Sequence, residues 1–339
     1  MADYTIYTRT YSRSSAGRLV SGKRPRGEPL SSTALLDEFR SHAVQGGKYP
    51  TALVSVSNRV IDTVTRAYSK YYMERESPAD IWIVFIKVPA ATHPLPYCIH
   101  AALPLAEACK HPKAGAFRHE FVFEWAIPEQ FVVHQVSLQT LMDRGLDWEE
   151  YIAQCDTTSE HLPTRDIRDA IARDLHPADP SAGPCDLGIY LGLFAKTFGA
   201  RAPLDWIAHQ LFHDCVWTRV VREHEMILKY AHGPTETVYA DFFRQMNAGI
   251  ETVLRDWWLA DIDFFLDCEG FKEWRAVMED IMVDDLAELY EARNGPAEMY
   301  VKMRMEVSAK HEKIRADIEA EAVRIGYEFP KDMALPSSS

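Results

Sequence analysis

Short runs of apolar residues, some alternating with polar ones, mark the first 150 residues, and longer runs with helical spacing mark the rest. Residues 5–10, 52–57, 80–88, 120–126 and 130–136 have the lengths and β-branched or aromatic content of strands. The longest apolar run, residues 81–86, reads as a buried strand, and Pro89 closes it. Between the strands, Asn58 is placed to cap a helix reaching about residue 75, with Val60, Val64, Ala67, Tyr68 and Tyr71 on one face. A second helix is expected over residues 100–109. Strands and helices do not alternate regularly, so the class is α+β rather than a doubly wound sheet. Polar and proline-rich stretches at 155–163 and 176–184 break the pattern. Beyond them the spacing predicts helices over 204–230, 241–268, 271–292 and 298–325. The reading is a first domain over 1–150, a linker region over 151–184, a helical domain over 185–330 and a disordered tail over 331–339.

Composition narrows the function. The chain has 339 residues and a formal charge of −13, which argues against non-specific nucleic-acid binding by the whole molecule. No apolar run approaches the ~18 residues of a membrane helix, so no membrane partner is expected. The six cysteines are scattered without a Cys-x-x-Cys pair, as in reduced thiols of a cytoplasmic protein. One local exception to the acidic balance stands out. Residues 9–26 hold Arg9, Arg13, Arg18, Lys23, Arg24 and Arg26 and no acid, the composition of a solvated basic loop or of a loop that meets a phosphate-bearing ligand.

Three segments carry candidate chemistry. They are residues 7–13, reading Tyr-Thr-Arg-Thr-Tyr-Ser-Arg; residues 53–58, reading Leu-Val-Ser-Val-Ser-Asn; and residues 119–128, reading His-Glu-Phe-Val-Phe-Glu-Trp-Ala-Ile-Pro. In chain order they supply an arginine, a small hydroxyl and a glutamate at strand ends. Cleaving a nicotinamide–ribose bond builds positive charge on the ribose, which a carboxylate stabilises. An arginine fork suits a pyrophosphate, and a serine can fix the carboxylate rotamer.

On these residues, positions 4–140 resemble the ADP-ribosyltransferase superfamily in its arginine–serine–glutamate branch. The likeness is to the catalytic chain of the cholera and heat-labile enterotoxins and to intracellular fungal proteins with the same core. Arg9 matches the family arginine, with Arg13 as a rival if the strand register shifts. Ser55 matches the first serine of the Ser-Thr-Ser segment, whose middle threonine is replaced by Val56 here. Glu120, followed by Ile127-Pro128, matches the family glutamate. The resemblance implies a split, mostly antiparallel sheet and NAD as substrate. It also implies catalytic roles for Arg9, Ser55 and Glu120, with Arg9, Thr10, Arg13, Ser57 and Tyr68 around the dinucleotide. Relatives that modify arginine carry a glutamate two residues before the family glutamate, where this chain has Arg118. The expected activity is therefore mono-ADP-ribosyl transfer to a protein or nucleic-acid acceptor other than arginine, or NAD hydrolysis.

Two other readings stay open. The first domain could be an inactive scaffold, with the helical part binding a protein partner. Alternatively, His209 and His213, spaced i,i+4, could begin a metal-dependent hydrolase site. No complete ligand set accompanies them, and the expectation is no metal.

Overall fold

The computed structural model describes residues 4–15, 17–24, 28–44, 50–89, 99–154, 162–175, 183–199, 201–216, 218 and 236–260. Six strands form one antiparallel sheet. They are β1 (Tyr4–Tyr11), β2 (Leu53–Ser57), β3 (Trp82–Pro89), β4 (Ile99–Ala101), β5 (Glu120–Glu124) and β6 (Val132–Ser137), in the order β4-β5-β2-β1-β3-β6. With the helices described below, the fold is α+β.

The sheet is joined thinly at its middle. β1 pairs with β3 over its whole length, from Tyr4 opposite Pro89 to Tyr11 opposite Trp82. β2 pairs with β5 from Leu53 opposite Glu124 to Ser57 opposite Glu120. Between β1 and β2 only Thr8 and Ser57 are partners. The two halves therefore part beyond that point, and backbone groups of β2 facing the gap are open to side chains.

Both faces are covered. Tyr7, Tyr11, Val54, Val56, Val84, Ile86 and Phe123 share one apolar cluster. On the other face, over β2 and β5, Leu53 and Val122 pack with Leu35 and Phe39 of α1 (Ser32–His42) and with Ala102 and Ala106 of α3 (Ala102–Ala108). α2 (Val60–Tyr72) packs against β1 and β3. Burial on two faces explains why β3 is almost uniformly apolar.

Several element ends differ from the pattern reading. The helix expected from Asn58 begins at Val60, because the Ser57 hydroxyl accepts the Arg59 amide and holds one more residue extended. The helix expected over 100–109 is the short strand β4 followed by α3. β5 stops at Glu124, since Trp125 turns to φ +65° and leaves the ladder. α1 has its own start signal in Ser31, whose hydroxyl accepts the Ala34 amide.

After β6 come α4 (Leu138–Asp143), α5 (Glu149–Ala153), α6 (Thr164–Asp174), α7 (Pro184–Lys196), α8 (Leu204–Val216) and α9 (Glu236–Ala260). By its contacts the chain divides into Met1–Glu251 and Thr252–Ser339. The first unit thus runs past the 151–184 stretch expected to be a linker, and α6 lies inside that stretch. α6 and α8 pack on α2. The helices expected over 271–292 and 298–325 lie outside the described residues.

Candidate functional site

Arg9, Ser55 and Glu120 lie on the adjacent strands β1, β2 and β5 and line one cleft of about 1440 Å³. Strand alternation puts Ser55, Ser57 and Glu120 on one face. Arg9 starts on the other, with Tyr7 and Tyr11 on either side in β1. Its guanidinium enters through the gap between β1 and β2. There it donates from Nη1 to the Ser55 carbonyl at 2.5 Å. Nε donates to the Arg18 carbonyl at 2.8 Å and Nη2 to the Gly17 carbonyl at 3.1 Å. Arg9 therefore joins the edge of the open ladder to the loop after β1. Three of its five N–H groups are used and two remain. Burial pulls its pKa down to about 10, opposed by Glu120 and Tyr11.

Ser55 Oγ donates to Glu120 Oε1 at 2.5 Å, a length expected of a hydroxyl–carboxylate bond. Burial raises the Glu120 pKa, and the Ser55 bond and the Arg9 charge oppose that rise. A fourth group completes the cluster. His42, the last residue of α1, places Nε2 2.5 Å from Ser55 Oγ and Nδ1 2.8 Å from Thr51 Oγ1. Burial and the Arg9 charge push the His42 pKa down to about 4, against the pull of Glu38, so the ring is neutral near pH 7. With the single Ser55 proton directed at Glu120, Nε2 must carry the imidazole proton and Nδ1 must accept from Thr51. The bonds then run in one direction, Thr51 to His42 to Ser55 to Glu120. Sequence reasoning missed His42. The one signal near it, Leu35 and Phe39 at i,i+4 behind the Ser31 cap, marks a helix there but not that its end meets Ser55.

The remaining expected residues divide. Thr10 and Ser57 line the cleft, with Thr10 Oγ1 donating to the Thr63 carbonyl at 2.6 Å. Arg13 is exposed in the turn after β1 and lies outside the cleft lining, so it does not rival Arg9. Tyr68 is 1% exposed, donates to the Leu146 carbonyl and stacks between Tyr72 and Trp148. It is a core residue and cannot stack on a ligand. Arg118 ends a 3-10 turn (Ala114–Phe117) and precedes β5, so strand alternation does not apply to it. It still lines the cleft. Glu124 turns away, accepting from the Leu30 amide and pairing with His100.

The far wall of the cleft comes from the helical region, through Leu162, Thr164, Arg165 and Arg168 of α6 and the residues just before it. Nearby, Arg59 Nε lies 3.3 Å from Asp214 Oδ1 of α8. Asp214 is fully buried and its Oδ2 has no hydrogen-bond partner. Burial lifts its pKa to about 7, although Arg59 and Gln210 pull the other way. Both ring nitrogens of His209 are occupied, Nδ1 by the Asp205 carbonyl and Nε2 by Asn247 Oδ1. Among the described residues no three His, Cys, Asp or Glu side chains gather as metal ligands do.

Residues 4–141 match a family described as a domain of unknown function (DUF7587). No curated protein and no solved structure matches the chain. The matched span holds Arg9, His42, Ser55 and Glu120, and it ends before the α6 wall of the cleft.

Proposed function

We propose that this chain cleaves NAD at the nicotinamide–ribose bond, as a mono-ADP-ribosyltransferase-like enzyme or an NAD glycohydrolase. The observation that carries the reading is the Ser55–Glu120 pair, held at 2.5 Å in a cleft that Arg9 also lines. When the C1′–N bond breaks, its electron pair leaves with nicotinamide and positive charge spreads over C1′ and the ring oxygen. The Glu120 carboxylate offsets that charge and is preorganised by Ser55, so little reorganisation is needed as charge develops. The two free N–H groups of Arg9 can take one anionic oxygen each. Water, or an acceptor hydroxyl, carboxylate or base, then attacks C1′ and gives up its proton. An arginine acceptor is disfavoured, because Arg118 lines the same cleft and would repel an incoming guanidinium.

The test is nicotinamide release from NAD. Wild-type protein should release it, and Glu120→Gln should lose ~10²–10³ in rate with an unchanged circular-dichroism spectrum. Full activity in that variant would remove Glu120 from the mechanism.

One observation favours a second reading, in which the domain is a non-catalytic scaffold. Three Arg9 nitrogens are committed to backbone carbonyls, as in a structural arginine. The helical region would then carry the interaction with a protein partner. Absence of nicotinamide release together with unaltered thermal melting in added NAD would favour that reading.

A further inference from the structure

Four arginines from three separate parts of the chain line the cleft, and three of them, Arg59, Arg118 and Arg168, lie near enough together to act on His119. Arg59 precedes α2, Arg118 precedes β5, and Arg165 and Arg168 lie on α6 one turn apart. Their spacing on α6 gives Arg165 and Arg168 a common face. Only Arg59 has an acidic partner within ion-pair distance, Asp214. Among the described residues no carboxylate approaches Arg118, Arg165 or Arg168 that closely. The Nε of Arg168 is buried without a hydrogen-bond partner. The acids of this region include Asp62, Asp169 and Asp214, so four cations face three carboxyl groups, two of which carry a buried oxygen without a hydrogen-bond partner. Burial raises the pKa of Asp62 and Asp214, which further weakens the negative side.

We infer that this part of the cleft is an anion subsite that receives a phosphate group, with Arg118, Arg165 and Arg168 as its donors and Arg59 held behind them by Asp214. Guanidinium forks match phosphate oxygens in pairs. The local field points the same way. His119, beside Arg118, is driven down to about 4 by burial and then by the charges of Arg59, Arg118, Arg168 and His213. A concentration of like charge in a protein of net charge −13 needs a counter-ion. The phosphate could belong to the dinucleotide or to a second, phosphorylated molecule beside it. The subsite rests on the NAD reading only for what binds at Glu120.

The experiment is titration of the full chain with inorganic phosphate, followed by calorimetry in the absence of NAD. Wild-type protein should bind phosphate saturably at millimolar concentration or below, more weakly as sodium chloride is added. Arg118→Gln/Arg168→Gln should weaken binding at least about tenfold. Arg118→Gln/Arg165→Gln, which alters two exposed side chains, should do the same with an unchanged melting temperature. Arg13→Gln, outside the cleft, should bind as wild type does. No saturable binding, or equal loss in Arg13→Gln, would overturn the subsite. Titration in the presence of NAD identifies the source. Competitive displacement assigns the phosphate to the dinucleotide, and simultaneous occupancy assigns it to a second molecule. Phosphate binding without nicotinamide release leaves the subsite standing and removes the NAD reading. Nicotinamide release with phosphate binding unmoved by the arginine variants does the reverse.

Discussion

A neutral histidine offers a serine either a donor or an acceptor, and His42 illustrates how much depends on which nitrogen holds the proton. Its Nε2–H holds Ser55 in the rotamer that donates to Glu120. His42→Ala removes that donor while leaving Ser55 and Glu120 in place. Nicotinamide release should then fall about tenfold through kcat, because a charge-assisted bond set loses one member worth ~1.5 kcal/mol, with KM for NAD little changed. A loss confined to KM would place His42 in binding instead. Arg9, Ser55 and Glu120 could be singled out in the sequence because each lies in a strand-like segment and the family resemblance supplies their order; the structure puts all three on strands lining one cleft. His42 could not, since a lone histidine at a helix end carries no motif. Tyr68 misled for a physical reason. Its i,i+4 and i,i+8 relation to Val64 and Val60 marks a buried stripe, and a tyrosine in such a stripe serves the core and finds a carbonyl for its hydroxyl.

At the scale of elements, strands read more plainly than helices. Strand lengths follow apolar runs bounded by proline or polar residues. α6 and α7 were obscured by the breakers around them, although Asp186 does accept the Gly183 amide at the start of α7. α7 and α9 approach closely through two glycines. A Cβ on Gly188 would lie 1.9 Å from the Met246 carbonyl oxygen, and one on Gly249 would lie 2.1 Å from that of Cys185. Both obstacles are backbone, so Gly188→Ala must push the helices apart. Overpacking of this kind costs ~1–3 kcal/mol, and a lower urea midpoint should report it. A second element-scale prediction concerns Asp214, which ties α8 to the start of α2 through Arg59. Its folded pKa of about 7 lies above the ordinary 3.8. Between those values the folded state binds the extra proton, so Asp214 contributes stability at low pH that is lost as pH rises through about 7. His42 and His119, lowered from 6.5 to about 4, act with the opposite sign and cost stability as pH falls through that window. Comparing wild type with Asp214→Asn isolates the first effect. The melting-temperature gap between them should widen from pH 7 to pH 4 in favour of wild type. A constant gap would mean that Asp214 ionises alike in the folded and unfolded states.

For the molecule as a whole, the pattern of breakers suggested a division near residue 150, and the packing argues against cutting there. Composition can mark where a chain turns, but not which faces meet afterwards. The sheet and its helices bury key side chains against the region beyond residue 162. Phe85 of β3 is fully buried and meets Phe198 and Trp206 edge-on. Trp148 stacks on Phe194. Ser69 Oγ accepts the Leu162 amide, His134 contacts the Phe198 carbonyl, and Arg59 pairs with Asp214. A fragment of residues 1–150 would expose Phe85 and Trp148 and leave Arg59 without its carboxylate. Uncovering each large aromatic costs ~1.5–3 kcal/mol, so these losses consume much of the ~5–15 kcal/mol that holds a typical domain together. The fragment would also lose Arg165 and Arg168, and with them the far wall of the cleft. Residues 1–150 should therefore express as aggregate or unfold without a cooperative transition, whereas residues 1–260, which retain α6 to α9, should melt cooperatively. Far-ultraviolet circular dichroism on heating distinguishes the two. A cooperative melt of residues 1–150 near that of residues 1–260 would establish the sheet domain as self-sufficient and reduce α6 and α8 to attachments on its surface.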